Sequence, residues 1–219
     1  MSHITFYFAP SACSLASHLL LEELGVPYRA VPMAYKPGTG LESADGTINH
    51  SEYRKIHPSG YVPALCVDGD VITESPAVLS YLATLAPEKN LAGRTELEKA
   101  HTIEWLSYLA GTLHASSYNL MFWPGRFTDA EDQQSKTQEK GRVAVISCYS
   151  RIEKALEQRE FPVGDAESLV DYYLVPFYHW AAKVNIDVTP YPNYLALVRR
   201  MEGKDSAKRV LREESVTPV

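Results

Sequence analysis

The chain has no run of apolar residues that approaches the roughly 18 needed to cross a membrane. It also has few cysteines: three among 219 residues, far apart and odd in number, Cys13, Cys66 and Cys148. This number and spacing do not indicate a disulfide framework and are typical of free thiols in a reducing compartment. The first residues lack the basic start, apolar stretch and small-residue cleavage site of a secretory signal. We therefore expect a cytoplasmic protein with no membrane partner.

Several chemical motifs are missing as well. The sequence contains no Gly-rich phosphate-binding loop, no G-x-S-x-G motif around a nucleophilic serine, and no His, Cys, Asp or Glu cluster with metal-ligand spacing. The formal net charge of −6 argues against a nucleic-acid surface. We therefore expect neither a metal ion nor a nucleic acid as a partner.

The first ~85 residues alternate short strand-like and helix-like segments, which is typical of an α/β domain. The segment HITFYF places Ile4, Phe6 and Phe8 on one face, as a strand does. The segment SACSLASHLLLEELG has helical apolar spacing and stops at Gly25. YRAVPM is a weaker second strand, and residues 34–60 stay open between helix and loop.

A hairpin and a helix complete this α/β part. ALCVDGDVIT has two β-rich arms around Asp68-Gly69, a pair suited to a tight turn. In SPAVLSYLATLAP, Ser75 is predicted as the N-cap and Pro76 as the first helical residue.

Beyond a linker near residues 86–93 the pattern becomes helical throughout. A capping box from Thr95 to Glu98 opens one helix, and Ser168 with Asp171 opens an apolar and aromatic one. We therefore predict an α/β domain over residues 1–86 and an all-helical domain over residues 94–219.

Two helix starts of the first domain are candidates for ligand binding, because a helix N-terminus offers unpaired N–H groups and a positive dipole end. At the first, Ser11 is predicted as N-cap and Cys13 in the opening turn, where the pKa of a thiol falls below ~8.5. At the second, Glu74 can bind an ammonium group, while Ser75 offers a hydroxyl and an N–H to a carboxylate. If both starts face one cleft, they suit a ligand with a thiol and an α-amino acid end, such as glutathione.

The segment HPSGYVPAL lies between these two helix starts. Pro63 restricts Val62 to an extended backbone. An extended Val62 can pair its own N–H and C=O with a peptide-like ligand, as neighbouring strands do.

Three segments carry a resemblance to a known family: FYFAPSACSLASHLLLEELGVPY, HPSGYVPALCVDGDVITESPAVLSYLA and VGDAESLVDYYLVPFYHWAAKVNIDVTPYPNY. Together they resemble a glutathione transferase, most closely the cysteine-type class of bacteria called beta. The resemblance covers essentially the whole chain. It implies an N-terminal thioredoxin-like domain, a C-terminal helical domain, and a homodimer with the active site near the subunit interface.

The resemblance assigns residues around the sulfur of glutathione. Cys13 matches the cysteine that contacts this sulfur and can form a mixed disulfide with it. His114, in GTLHASS, matches a histidine of the helical domain that approaches the same sulfur. Ser11 falls where serine-type transferases carry their catalytic hydroxyl. Cys13, Ser11 or both are therefore candidates for the main partner of the sulfur, and the SACSL context and His114 favour Cys13.

The resemblance also assigns residues to the rest of glutathione. Val62 matches the residue whose backbone pairs with the cysteinyl unit, and Pro63 matches the cis-proline after it. Glu74 and Ser75 match the pair that holds the γ-glutamyl group. Two further matches are Trp180, near the glycyl end, and Lys36, whose flanking loop differs in length.

The function that follows is attack of the glutathione thiolate on a small hydrophobic electrophile, bound in a pocket of the helical domain. The segment ASSYNLMFWPGRF is expected to line that pocket. The cysteine-type class adds thiol transfer through a mixed disulfide on Cys13; Ala16 stands where a second cysteine would lie, so such a cycle is monothiol. The alternatives are a glutathione-dependent dehalogenase or isomerase, and a non-catalytic protein that binds an apolar ligand or a protein partner.

Overall fold

A computed structural model describes residues 3–219, which divide into two compact units. The first unit contains the residues up to Asn90 together with Glu202–Pro218. The second contains Leu91–Met201 and the terminal Val219. The first is a mixed α/β structure and the second is helical, in agreement with the predicted fold class. The segment Glu202–Pro218, which lies within the predicted helical domain of residues 94–219, belongs to the first unit.

The strands and helices of the described residues follow in chain order. The strands are β1 (Ile4–Phe8), β2 (Arg29–Lys36), β3 (Gly40–Ser43), β4 (Ala64–Val67) and β5 (Asp70–Thr73). The helices are α1 (Leu15–Leu24), α2 (His50–Ile56), α3 (Ser75–Ala83), α4 (Glu96–Tyr108), α5 (Asn119–Phe122), α6 (Glu131–Ala155), α7 (Leu169–Lys183), α8 (Pro192–Glu202) and α9 (Asp205–Glu213). A π-helical segment, Leu109–Tyr118, joins α4 to α5.

The sheet of the first unit has the order β3-β2-β1-β4-β5 within the described residues. β1 runs parallel to β2 and antiparallel to β4. The predicted first strand forms, and all five residues of β1 are buried. β1 is central and covered on both sides: the Tyr7 ring packs against Tyr53 of α2, and the Phe8 ring against His18 of α1.

The segment 34–60, which the sequence leaves open, contains both a strand and a helix. β3 pairs antiparallel with the end of β2. α2 begins with a capping box, in which the Asn49 side chain accepts from the Glu52 N–H and the Glu52 carboxylate accepts from the Asn49 N–H, both over 3.0 Å. This helix positions Tyr53 beneath the sheet.

The other predicted turns and caps lie close to where the sequence places them. The hairpin turn is Asp68-Gly69, with φ values of 51° and 97°. The sequence predicts Ser75 as the N-cap of α3, but Ser75 is the first helical residue and Glu74 is the N-cap. α1 begins only at Leu15, which leaves Cys13 outside the helix.

The second unit has a continuous helical stretch from α4 through the π-helical segment to α5. Thr95 caps α4 by accepting from the Glu98 N–H over 3.1 Å, but the Glu98 carboxylate accepts from the Arg94 N–H, so only half of the predicted capping box forms. The capping box of Ser168 and Asp171 opens α7, as predicted. α7 is buried along nearly its whole length. Among the described residues, no helix is both long enough and apolar enough to cross a membrane.

Candidate functional site

One end of the sheet in the first unit gathers the predicted ligand-binding segments. In the sheet register Tyr7 of β1 is paired with Ala64 of β4, and Ala64 is paired with Thr73 of β5. The loop after β1, the loop before β4 and the turn after β5 therefore all adjoin the same row of paired residues, formed by Tyr7, Ala64 and Thr73. The register brings Cys13 and Glu74 to the same end of the sheet, although they are 61 positions apart in the sequence.

The Cys13 thiol makes two contacts at this end. Its Sγ donates a hydrogen bond to the backbone oxygen of Val62 over 3.3 Å, and the Ser75 side chain lies close enough to the sulfur to lower the pKa of the thiol by hydrogen bonding. Cys13 is buried. Cys13, Val62 and Ser75, which the resemblance assigns to glutathione, are thus brought together in this structure.

The pKa of Cys13 is raised to about 11, chiefly by burial and to a smaller extent by the charge of Glu74, while a hydrogen bond from Ser75 opposes the shift. The expectation that this pKa is lowered is therefore wrong for the structure. Two physical reasons account for it: the thiol is removed from water, and α1 starts two residues after Cys13. The thiol is consequently neutral at pH 7 and serves as a hydrogen-bond donor.

Ser11 is not the N-cap of α1, because Ser14 precedes the first helical residue. Ser11 lies in the turn after β1 with a φ of 61°, in the left-handed region. Its N–H donates to a carboxylate oxygen of Glu214 over 2.8 Å. The long-range contact holds the backbone of the loop that carries both candidate sulfur partners.

The Val62–Pro63 peptide bond is cis, as the resemblance implies. Tyr61, the residue before Val62, is held by α2, since the Tyr53 hydroxyl donates to the Tyr61 backbone oxygen over 2.6 Å. Val62 itself is half-buried and follows this anchored residue directly.

Glu74 and Ser75 differ sharply in their exposure. Glu74 is exposed and has a φ of 70°, whereas Ser75 is buried against Cys13. The exposed Glu74 side chain offers an anionic group to the ammonium of a ligand. The helix N-terminus beside it offers N–H groups to the carboxylate of the same ligand. This is the arrangement of charges that an α-amino acid end requires.

Lys36 lies exposed at the end of β2. β2 is parallel to β1, so Lys36 belongs to the same end of the sheet, four residues beyond Pro32, which is paired with Phe8. The described residues give no hydrogen bond or ion pair between Lys36 and the Cys13 cluster.

His114 and Trp180 lie in the second unit, with ring centroids 5.0 Å apart in an edge-to-face arrangement. His114 belongs to the π-helical segment, and Trp180, on α7, is 5% exposed. Burial lowers the pKa of His114 to about 4, and the positive charge of Arg126 contributes to the shift. His114 is therefore a neutral imidazole at pH 7, and local π-helical geometry of this kind is frequent at functional sites.

Sequence reasoning missed two residues of this site and assigned a third to packing. Tyr53 anchors the loop before Val62, and Glu214 holds Ser11. His18, interpreted from the sequence as structural, contacts the same Glu214 carboxylate. The capping box of Asn49 and Glu52 could have located Tyr53 on a helix, but Glu214 sits in a highly charged terminal segment with no signal of burial.

No group of three or more His, Cys, Asp or Glu that could hold a metal occurs in residues 3–219.

The comparisons with known proteins agree over most of the chain. Residues 10–85 match the family model for the N-terminal domain of glutathione S-transferase, and residues 100–205 match the one for its C-terminal domain. The glutathione S-transferase GST-4.5 of Xanthomonas campestris is 26% identical over 96% of this chain and 98% of its own length. A maleylacetoacetate isomerase of Dictyostelium discoideum is 28% identical over 87% of this chain and 84% of its own.

Solved structures extend this likeness. A beta-class glutathione S-transferase of Sphingomonas chungbukensis is 31% identical, covers 97% of this chain and 100% of its own, and superposes with a TM-score of 0.83. A sphingomonad glutathione S-transferase complexed with glutathione is 27% identical, with coverages of 97% and 100% and a TM-score of 0.83. These matches confirm the predicted fold class of a thioredoxin-like domain followed by an all-helical one.

Proposed function

The chain belongs to the glutathione S-transferase family, and from this premise we propose that it joins the glutathione thiolate to small hydrophobic electrophiles in the cytoplasm. The observation that carries the proposal is the cluster of Cys13, Val62, Ser75 and Glu74 at one end of the sheet. A thiol donor, a strand-like backbone and a charged helix start are the three features that glutathione requires. Three free cysteines are consistent with a reducing compartment.

We propose Cys13 as the main partner of the glutathione sulfur, with His114 approaching it and Ser11 as the alternative partner. A protonated Cys13 can donate its S–H to a thiolate, and a hydrogen bond to a charged acceptor is worth about 1.5–3 kcal/mol. Glutathione bound here takes the place of the Val62 carbonyl as the acceptor of that proton. The electrophile then reacts with a thiolate that is held by a donor and shielded from water.

The remaining assigned residues bind the rest of glutathione in this proposal. Glu74 and Ser75 hold the γ-glutamyl end, and the Val62 backbone beside Pro63 pairs with the cysteinyl unit. Trp180 is assigned to the glycyl end, and Lys36 is assigned to glutathione binding without a particular end. We assign glutathione binding to residues 1–86 and the electrophile pocket, with the segment 115–127, to residues 94–219.

The protein is further proposed to be a homodimer. Four large apolar side chains of α4 and α6 are exposed in the single chain: Leu97 (68%), Ile103 (63%), Val143 (60%) and Ile146 (42%). The two helices are neighbours, because Arg151 of α6 donates to Glu104 of α4 over 3.2 Å. Large apolar side chains exposed on neighbouring helices are typical of a protein–protein interface.

Two measurements on the purified protein test the activity: calorimetric titration with glutathione, and the rate of glutathione conjugation to a generic aryl halide. We expect saturable binding and a conjugation rate well above the uncatalysed one. Binding without turnover of any electrophile would instead favour the non-catalytic alternative. Absence of both contradicts the proposal.

A second candidate is isomerisation with glutathione as a cofactor. The observation that favours it is the likeness to the Dictyostelium maleylacetoacetate isomerase over 87% of this chain. Maleylacetoacetate, or a cis-olefinic diacid analogue, is therefore a substrate to assay beside the aryl halide. Turnover of the diacid that requires glutathione but does not consume it distinguishes isomerisation from conjugation.

A further inference from the structure

The C-terminal helix of the first unit ends beside the loop that carries Ser11 and Cys13. α9 is tied to α1 by the Ser206 hydroxyl, which donates to a Glu23 carboxylate oxygen over 2.5 Å. Glu214, the residue directly after α9, has its side chain in the protein interior. The Glu214 side chain is fully buried, whereas that of the neighbouring Glu213 is half exposed.

Both oxygens of the buried Glu214 carboxylate have partners. Oε1 lies 2.7 Å from His18 Nδ1, and Oε2 accepts the Ser11 N–H over 2.8 Å. A buried carboxylate is costly unless its oxygens are paired, so these two contacts determine where the side chain can lie. One of them reaches a side chain of α1, and the other reaches the backbone of the loop.

His18 is in turn held by aromatic rings. The ring centroids of Phe6, Phe8 and Tyr28 lie 5.5, 4.6 and 5.9 Å from that of His18, which is completely buried. Its Nε2 has no hydrogen-bond partner within residues 3–219. The imidazole therefore directs its hydrogen bond to Glu214, and the ring packing fixes the position of that carboxylate.

The loop that contacts this carboxylate has an unusual backbone conformation at Ser11. Ser11 has a φ of 61°, a region that residues other than glycine rarely adopt. A turn closed by the Ala12 N–H and the Ala9 oxygen over 3.1 Å surrounds it, but the Ser11 N–H itself reaches an acceptor 203 positions away. The same loop places the Cys13 sulfur against the Val62 oxygen.

We propose that Glu214, oriented by His18, is a positioning residue for the reaction: it holds the Ser11 backbone and thereby the direction of the Cys13 thiol. The proposal rests on the proposed function, because it takes this loop to carry the partner of the glutathione sulfur. It assigns a role in activity to the C-terminal segment, whose Glu214 carboxylate accepts from the Ser11 N–H and contacts His18 of α1.

The test compares Glu214→Ala and Glu214→Gln with the wild type in the full-length protein. One readout is the rate at which iodoacetamide alkylates Cys13 without glutathione, mapped by mass spectrometry; the other is the kcat and KM of aryl halide conjugation. We expect Glu214→Ala to raise Cys13 alkylation roughly tenfold and to lower kcat roughly tenfold, with less than a threefold change in the KM for glutathione. Glu214→Gln, which keeps the shape and one acceptor oxygen, is expected to lie between Glu214→Ala and the wild type in both readouts.

Ser206→Ala is the matched control, because it removes a contact between the same two helices without touching the loop, and Glu23 keeps its neighbours Lys89 and Lys204. We expect it to lower the stability while leaving alkylation and kcat unchanged. Wild-type values of both readouts in Glu214→Gln overturn the proposal, even if Glu214→Ala does not fold, and so do equal changes in Ser206→Ala. A wild-type protein that conjugates no electrophile contradicts the proposed function alone, since the alkylation rates still decide the role of Glu214.

Discussion

The Cys13 thiol donates a hydrogen bond to the backbone oxygen of Val62, with 3.3 Å between Sγ and O. This contact joins two segments that the sequence offers as separate candidates, the loop after β1 and the cis-proline loop before β4. It requires a protonated thiol, which agrees with the pKa raised to about 11 by burial. The neutral state of Cys13 and the contacts around it lead to the following predictions.

The reactivity of Cys13 is expected to rise with pH. With a pKa of about 11, the thiolate is a minor species at pH 7 and grows about tenfold per pH unit until the pH nears 11. Alkylation of Cys13 by iodoacetamide, mapped by mass spectrometry, is therefore expected to accelerate from pH 7 to pH 10 without a plateau. A plateau below pH 8 would show instead that the thiol is activated.

The identity of the sulfur partner follows from three substitutions. Cys13→Ala removes the donor and is expected to lower conjugation about 10- to 100-fold. Cys13→Ser restores a hydroxyl donor and is expected to recover part of this loss, while neither variant forms a mixed disulfide with oxidised glutathione. If Ser11 is the partner, Cys13→Ala is nearly harmless and Ser11→Ala lowers conjugation about 100-fold. A glutathione adduct found only on Cys66 or Cys148 contradicts the choice of thiol.

Glu74 is expected to contribute to the binding of the γ-glutamyl ammonium. Glu74→Ala is predicted to raise the Kd of glutathione roughly tenfold or more, because a charged hydrogen bond is lost. Calorimetric titration measures this change. Asp70→Ala removes an equal charge at the other end of β5 and is expected to leave the Kd unchanged. Equal affinities for the wild type and Glu74→Ala would contradict the assignment.

His114 is expected to make stability depend on pH. Its folded-state pKa of about 4 lies below the usual 6.5, so the unfolded chain binds more protons between these values. The stabilisation is therefore present above pH 6.5 and is lost as the pH falls towards 4. The free energy of unfolding, measured in urea at pH 7 and pH 4.5, is expected to fall less between these pH values for His114→Asn than for the wild type. The control His3→Gln replaces an exposed histidine and is expected to behave as the wild type. The same loss in all three proteins would contradict the shift.

The exposed apolar residues of α4 and α6 predict the assembly state. Sedimentation equilibrium at micromolar concentration is expected to give twice the single-chain mass of 24.4 kDa. Val143→Glu is expected to shift the equilibrium towards the monomer, since it buries a charge in the interface. Val71→Glu, at an exposed apolar site in the hairpin, serves as the control. A wild-type mass near one chain counts against the dimer.

The sequence by itself determined the local structure of this protein. The Asp68-Gly69 turn, the Thr95 cap and the box of Ser168 and Asp171 form where the residue types predict them. They could be predicted because turn and cap chemistry acts over about four residues. The order of motifs also determined the family, and with it the grouping of Cys13 with Val62.

Only the tertiary structure decided the state of the groups inside the site. The pKa of Cys13 depends on how much water is removed from it, and the segments that exclude the water lie before β4 and at α3. β1 is buried on both faces because α1 and α2 pack against its two sides, which its own alternation could not indicate. Glu214 looks like one more charge at the end of a polar helix, yet it is paired with Ser11 and His18 across about 200 residues. Desolvation and long-range pairing arise from which segments pack together, so a local sequence pattern does not contain them.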